Sequence, residues 1–361
     1  MKQIILIFVV LSFVLGTQNP LFLNETYTTS LIKIKKSIDI FYWNFESRSN
    51  PSEDSIAFWL AGGPGASSLI SVLAGNGPFK LNKNQTLESN IYAWNNQANM
   101  VFVDQPVVQD QLSRKTRKST YNVFLSVDPQ NQYPSYGQFA FESGLISSYD
   151  YYVVAKPTLS DFSKLIAKKA PYKLFQPICM KGLQNIVGND ETPKFDVYDI
   201  MCTGSDCKSA FHGLSDYLNR ADVYAALGVL GRTWQIESDT VYDALKYDYD
   251  QSFAQDIAFV LESGIKVLVQ YGYQDFVCNY IGGLQWAENM NWNMQSDFQN
   301  SKFQDYLVDG KIEGKFKSAG KFSILIVDKS GHMVTIDQPA LSLQMFNQFI
   351  SNQYIRNKDQ Y

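Results

Sequence analysis

The stretch FSILIVDKSGHMVTIDQP, residues 322–339, decides the reading of this chain. Phe322 to Val327 is a short apolar run without alternation, the pattern of a strand buried on both faces. It feeds a Gly-His-Met turn, and His332 on that turn is one of only two histidines, the other being His212. The end of a buried strand is where α/β proteins place their sites.

Runs of the same kind recur upstream at Ile56 to Leu60, Met100 to Val103, Val123 to Val127 and Ile265 to Gln270. Leu31 to Ile34 and Ile38 to Trp43 read as an earlier antiparallel pair. Leu214 to Leu227 and Leu341 to Ile350 carry apolar residues at three- and four-residue spacing and are predicted helices. The alternation predicts an α/β fold, a mostly parallel sheet with helices on both faces. Residues 150–213 break the rhythm with Lys-rich and Tyr-rich segments and four prolines. They are predicted to form a cap inserted between two core parts, 18–149 and 214–361.

Composition narrows the function. A chain of 361 residues with 45% hydrophobic and 14% aromatic content buries one large core or two modest ones. Lys plus Arg number 31 against 35 Asp plus Glu, a net charge of −4, and no basic stripe tracks phosphates, so nucleic acid is not an expected partner. MKQIILIFVVLSFVLGTQ sets a Lys before an apolar run too short to span a bilayer and then small residues. It predicts a signal peptide over residues 1–17, cleaved to leave no membrane anchor. Entry to the secretory pathway fits the sequons at Asn24 and Asn84. It also places Cys179, Cys202, Cys207 and Cys278 in an oxidising compartment, where the close pair in CTGSDC can form a small-loop bridge. Two distant histidines and scattered thiols match no metal-ligand spacing, so neither metal nor other cofactor is expected.

In VLVQYGYQDFVCNY, residues 267–280, Asp275 follows a strand as His332 follows the next one. In a parallel sheet both emerge at one carboxyl edge, where an acid holds an imidazole in one tautomer and stabilises its charged form. On position alone, Asp275 serves equally well as a turn or helix cap, and His332 as a packed core side chain. WLAGGPGASS, residues 59–68, is a glycine-proline turn after a strand, able to aim backbone N–H groups at a developing oxyanion.

Together with FYWNFESRSNP (41–51), YAWNNQANMVFVDQP (92–106), QYPSYGQFAFESGLIS (132–147) and SGHMV, these segments resemble the serine carboxypeptidase family, α/β-hydrolases that remove C-terminal residues from peptides in vacuoles, lysosomes and secretions. The resemblance implies that Asp275 and His332 are catalytic acid and base, with Gly62 and Gly63 in the oxyanion turn and Gly63 an N–H donor. It implies that Cys278 and Met333 line the pocket and that Cys202 and Cys207 form a disulfide at the base of the cap. Peptide or protein C-termini are the implied partners.

The family's serine stands on a Gly-Glu-Ser-Tyr-Ala-Gly elbow after the central strand, and this sequence has no Gly-x-Ser-x-Gly. Ser135 and Ser143 lie in a segment that resembles the part downstream of the elbow. Ser113 and Ser119 lack a preceding strand and a following glycine turn. The elbow and its flanking elements need roughly 50 residues, yet only VVQDQLSRKTRKST separates Pro106 from Tyr121. A sheet without its central nucleophile strand is therefore expected. Ala61 and Gly75 stand where the family has Asn and Glu that bind the substrate carboxylate. Ala66 replaces a family cysteine whose partner is expected near Gln235 or Ile236. Two readings follow: a carboxypeptidase-type hydrolase that has lost its nucleophile segment and is inactive as written, or a secreted binding or structural protein on the same scaffold.

Overall fold

The computed structural model describes residues 16–35, 38–63, 65–104, 129–167, 182–188, 193–203, 207, 210–245 and 252–351. The leader up to residue 15, the strand predicted at Val123 to Val127, Cys179, and the Pro106 to Tyr121 stretch with Ser113 and Ser119 lie outside the described residues.

The strands are β1 (Thr17–Gln18), β2 (Thr26–Lys35), β3 (Ile38–Phe45), β4 (Ile56–Leu60), β5 (Phe79–Leu81), β6 (Leu87–Ser89), β7 (Asn99–Asp104), β8 (Val267–Gly272), β9 (Gln304–Val308), β10 (Lys311–Ala319) and β11 (Phe322–Val327). Among the described residues they form a sheet ordered β1-β2-β3-β7-β4, a second ordered β8-β11-β10-β9, and a β5-β6 ribbon. The sheets are mixed: β4 with β7 and β8 with β11 pair in parallel, the rest antiparallel. The architecture is α/β with helices on both faces, as the strand-helix alternation predicts, but the expected mostly parallel sheet is corrected: among the described residues antiparallel pairs outnumber parallel ones, because β1-β2-β3 and β9-β10-β11 run on through direct antiparallel connections. The β2-β3 pair is antiparallel, as read from Leu31 to Trp43.

One apolar cluster joins the two sheets. Trp43, Phe45, Met100 and Phe102 of the first meet Phe316, Leu325 and Val327 of the second, with Leu341, Met345 and Phe346 of the helix Pro339–Ile350. On the far side of the second sheet, Ile324 and Ile326 of β11 and Val269 and Tyr271 of β8 pack against the helices Ala254–Glu262 and Tyr280–Asn289. Successive β11 side chains thus enter different cores, which is why the run is apolar throughout.

Strand β4 departs from the two-sided burial read for it. Ala57 and Trp59 pack on the joining cluster, but Ile56 and Phe58 point to the other face and are 55% and 59% exposed. The helix read as Leu214 to Leu227 is two helices, Leu214–Leu218 and Ala221–Leu227. Asn219 separates them, its side chain donating to the carbonyls of Ser215 and Trp234 and accepting from Trp234 N, while Arg220 is extended. Such side-chain bonds compete with continued helix.

The helix Pro129–Glu142 packs against the helix Lys156–Ala167 and against Tyr280–Asn289, forming a third cluster around Tyr136, Phe139, Leu159, Phe276 and Ile281. Phe276 anchors the loop after β8: its ring stacks on Tyr136 at 5.0 Å and meets Phe195 edge-on at 5.3 Å.

Candidate active site

The register of the parallel pair sets Gly272 opposite Val327, so β8 and β11 end level and their loops emerge side by side. The two loops are stitched together: Tyr273 N donates to Val327 O at 2.9 Å and Gln274 N to Ser330 O at 2.8 Å. A Cβ on Gly272 would lie 1.9 Å from Gly331 O, and one on Gly331 would lie 2.3 Å from Tyr198 O, so both positions demand glycine. Residues 197–200 clamp both loops. Val197 O accepts Phe276 N and Val277 N, Ile200 N donates to Gln274 O, and Tyr198 O accepts His332 N at 2.7 Å. Asp337 completes the support by accepting Gly331 N at 2.9 Å.

This scaffold brings Asp275 and His332 together, with His332 Nδ1 2.8 Å from Asp275 Oδ2. The second carboxylate oxygen, Oδ1, accepts Cys278 N at 2.9 Å, so both oxygens are held. Asp275 is buried, with 3% of its side chain exposed, whereas 20% of the imidazole is open. A carboxylate only accepts, so Nδ1 carries a proton and Nε2 is the basic nitrogen. Burial disfavours the imidazolium, but the Asp275 carboxylate, the hydrogen bond that Nδ1–H donates to it and the neighbouring Cys278 side chain outweigh it, holding His332 well above its usual 6.5. Burial pushes the neighbouring Cys278 thiol up, and His332 offsets part of that rise. The ligand atoms of Asp275, Cys278 and His332 lie within 4.8 Å of one another, close enough to share a cation, although the first and last already bond each other. Sequence spacing misses this cluster because His332 joins Asp275 and Cys278 from a separate loop.

The Tyr198 ring lies 5.4 Å from the imidazole and forms one wall, a neighbour that no motif announced. Met333 follows His332 and packs on the joining core. Ser135, by contrast, is fully buried, its hydroxyl 2.6 Å from Gln132 O and 2.9 Å from Asn279 Oδ1. Ser143 is exposed at a helix end.

The Gly62 and Gly63 turn follows β4 in the other sheet. Gly63 has φ +126°, and a Cβ there would lie 2.8 Å from the backbone nitrogens of Gly65 and Ala66. Ser68 fixes the turn, its hydroxyl accepting Ala61 N and donating to Val103 O, while its N–H reaches Asp104 Oδ1. Burial pushes the Asp104 carboxyl up to about 6. No side chain projects from Gly75, where an added Cβ would lie 2.9 Å from Thr335 Oγ1.

Ala66 sits opposite Glu237, one residue beyond the expected pair, held by Ser67 N to Ile236 O and Ser238 N to Gly65 O. That pattern makes 66 and 237 a non-hydrogen-bonded pair, whose Cα atoms approach within disulfide range. The double variant Ala66→Cys with Glu237→Cys is expected to cross-link on oxidation and gain about 2–4 kcal/mol in denaturant unfolding. Free-thiol titration and the unfolding curve check it. Cys202 and Cys207 are disulfide-bonded, with Cα atoms 5.4 Å apart. Asn24 and Asn84 are exposed. No helix among the described residues is long and apolar enough to cross a membrane.

Comparison with known proteins agrees with this geometry. The family model for serine carboxypeptidase matches residues 19–109 and 125–352. Serine carboxypeptidase-like 47 of Arabidopsis thaliana is 30% identical, the alignment covering 87% of this chain and 76% of that protein. Carboxypeptidase Y homolog A of Fusarium vanettenii is 28% identical, with 87% and 72% covered. The crystal structure of Kex1(delta)p, a prohormone-processing carboxypeptidase from Saccharomyces cerevisiae, superposes with a TM-score of 0.75 at 18% identity, covering 95% of this chain and 96% of that one. With a family match across most of its length and an acid-histidine couple at adjoining strand ends, the chain belongs to the serine carboxypeptidase family.

Proposed function

We propose that Asp275 and His332 are a general-base couple in a site for acyl groups at peptide or protein C-termini, and that the family's covalent serine step is lost. The carrying observation is the 2.8 Å contact between Nδ1 and Oδ2, with the other carboxylate oxygen tied to Cys278 N. A base so oriented retains slow hydrolysis of acyl groups without a serine. Three facts support loss of the elbow. The sequence holds no Gly-x-Ser-x-Gly. The family match breaks between residues 109 and 125. The alignment with the Arabidopsis relative runs over 389 positions, more than the 361 residues of this chain, so it opens gaps opposite it.

Exposed Asn24 and Asn84 and the Cys202–Cys207 bridge support a glycosylated protein of the secretory pathway, extracellular or held in a lysosome or vacuole. The cap at 150–213 would cover the site. A second reading, a secreted binding or structural protein without turnover, is favoured by Ala61 and Gly75, which remove two side chains from the family's carboxylate site.

A fluorophosphonate and a blocked dipeptide test these readings on the purified protein. We expect no labelled serine and a slow hydrolysis that disappears in His332→Ala. A labelled serine with blocked turnover rejects the lost-serine reading; peptide binding without any turnover selects the binding protein.

A further inference from the structure

We infer that Cys278 is the attacking group of this site, its thiol completing a Cys278–His332–Asp275 triad that acts on activated acyl esters and thioesters. The inference rests on the general-base reading above and adds the atom the base serves. Three observations meet here. Cys278 Sγ lies within 4.8 Å of a His332 ring nitrogen and of the Asp275 carboxylate, which already engages Nδ1. Cys278 N holds the same carboxylate at 2.9 Å, so the residue that carries the sulfur also helps fix the acid. Cys278 is only partly buried and retains its thiol, beside the partly open imidazole.

The chemistry matches this arrangement better than it matches a serine placed at random. Sulfur is intrinsically far more nucleophilic than a hydroxyl and needs less help from an oxyanion donor when the leaving group is good. Burial keeps the sulfur protonated at rest, so attack is base-assisted and does not start from a stored thiolate. The Sγ–H proton passes to His332 Nε2 as the Sγ–C bond forms at the acyl carbon. Collapse of the tetrahedral adduct breaks the bond to the alcohol or thiol leaving group, which takes that proton from His332. A thioester remains on Cys278. His332 then takes a proton from water, the hydroxide equivalent attacks the thioester carbon, the C–S bond breaks, and the proton returns to sulfur. Asp275 stays ionised and stabilises the imidazolium in both halves.

The full-length purified protein with p-nitrophenyl acetate gives the test. The expected result is a burst stoichiometric with protein and a hydroxylamine-labile acetyl group on the peptide bearing Cys278. Turnover should fall by at least ~100-fold in Cys278→Ala. As a check that does not depend on that variant folding, iodoacetamide should alkylate Cys278 and abolish turnover without changing the melting temperature, and alkylate more slowly in His332→Ala. Turnover that survives in Cys278→Ala or after alkylation, or an acetyl group found elsewhere, overturns the inference and leaves the general-base reading standing if His332→Ala is dead. Absence of any turnover by the wild type overturns both.

Discussion

Replacing Asp275 with Asn should cut kcat/KM for p-nitrophenyl acetate by about a thousandfold, since in serine peptidases the same change misorients the histidine and removes its counter-charge. Asn cannot accept at both of its terminal atoms, so either the Cys278 N–H or the His332 Nδ1–H loses its partner. The effect on pH dependence is separable from the effect on rate. His332 acts as a base only when neutral, so wild-type kcat/KM rises with pH on a limb lying above 6.5. Without the carboxylate, burial is left as the main influence on the imidazole, and the limb should move to lower pH. Stability carries the same signature. A histidine whose folded pKa is raised contributes stability that is complete below 6.5 and disappears as pH climbs through the raised value. Thermal melts from pH 5 to 9 should show that decline in wild type and not in Asp275→Asn. An unmoved limb would mean that His332 is not the titrating base.

How far the sequence reveals this site follows from which contacts are local. The apolar run Phe322 to Val327 coincides with β11 because both of its faces are covered, and its six residues have no polar member but Ser323. β8 starts two residues later than its apolar run, because Ile265 closes the preceding helix through its N–H to Val260 O and is 57% exposed. The pairing of Asp275 with His332 was legible because each follows a strand and parallel neighbours end level. What lay beyond reading was the third direction of approach. Tyr198 and Val197 reach both loops from a segment with no regular pattern, through main-chain carbonyls, and a carbonyl leaves no mark on residue type. The exposed face of β4 was hidden for a related reason: Ile56 and Phe58 obey the composition of a buried strand, and composition does not say whether anything lies above them. The interrupted helix at Asn219 shows the reverse case, a polar pair that marks a break inside an otherwise helical apolar spacing.

Trp94→Ala should be the most destabilising single truncation near the site, lowering unfolding free energy by about 3–5 kcal/mol. Its indole stacks on Phe346 at 4.1 Å with the rings 12° from parallel, meets Trp59 of β4 edge-on at 5.4 Å, and donates from Nε1 to Ser342 Oγ at 3.2 Å. Phe346 and Ser342 belong to the helix that begins at Pro339, seven residues after His332, and Trp59 precedes the Gly62–Gly63 turn. One side chain therefore couples the strand that carries the glycine turn to the helix that follows the histidine. Truncation leaves a cavity bounded by two aromatic side chains, one from strand β4 and one from the helix Pro339–Ile350, neither of which can collapse without dragging its own element. Trp94→Phe should restore most of the loss, leaving about 1 kcal/mol for the missing hydrogen bond and the smaller ring. Urea unfolding of the three proteins measures the series. A loss below 1 kcal/mol in Trp94→Ala would mean that the sheets are held elsewhere, and the glycine turn and His332 could then move independently, which a shared acyl site does not tolerate.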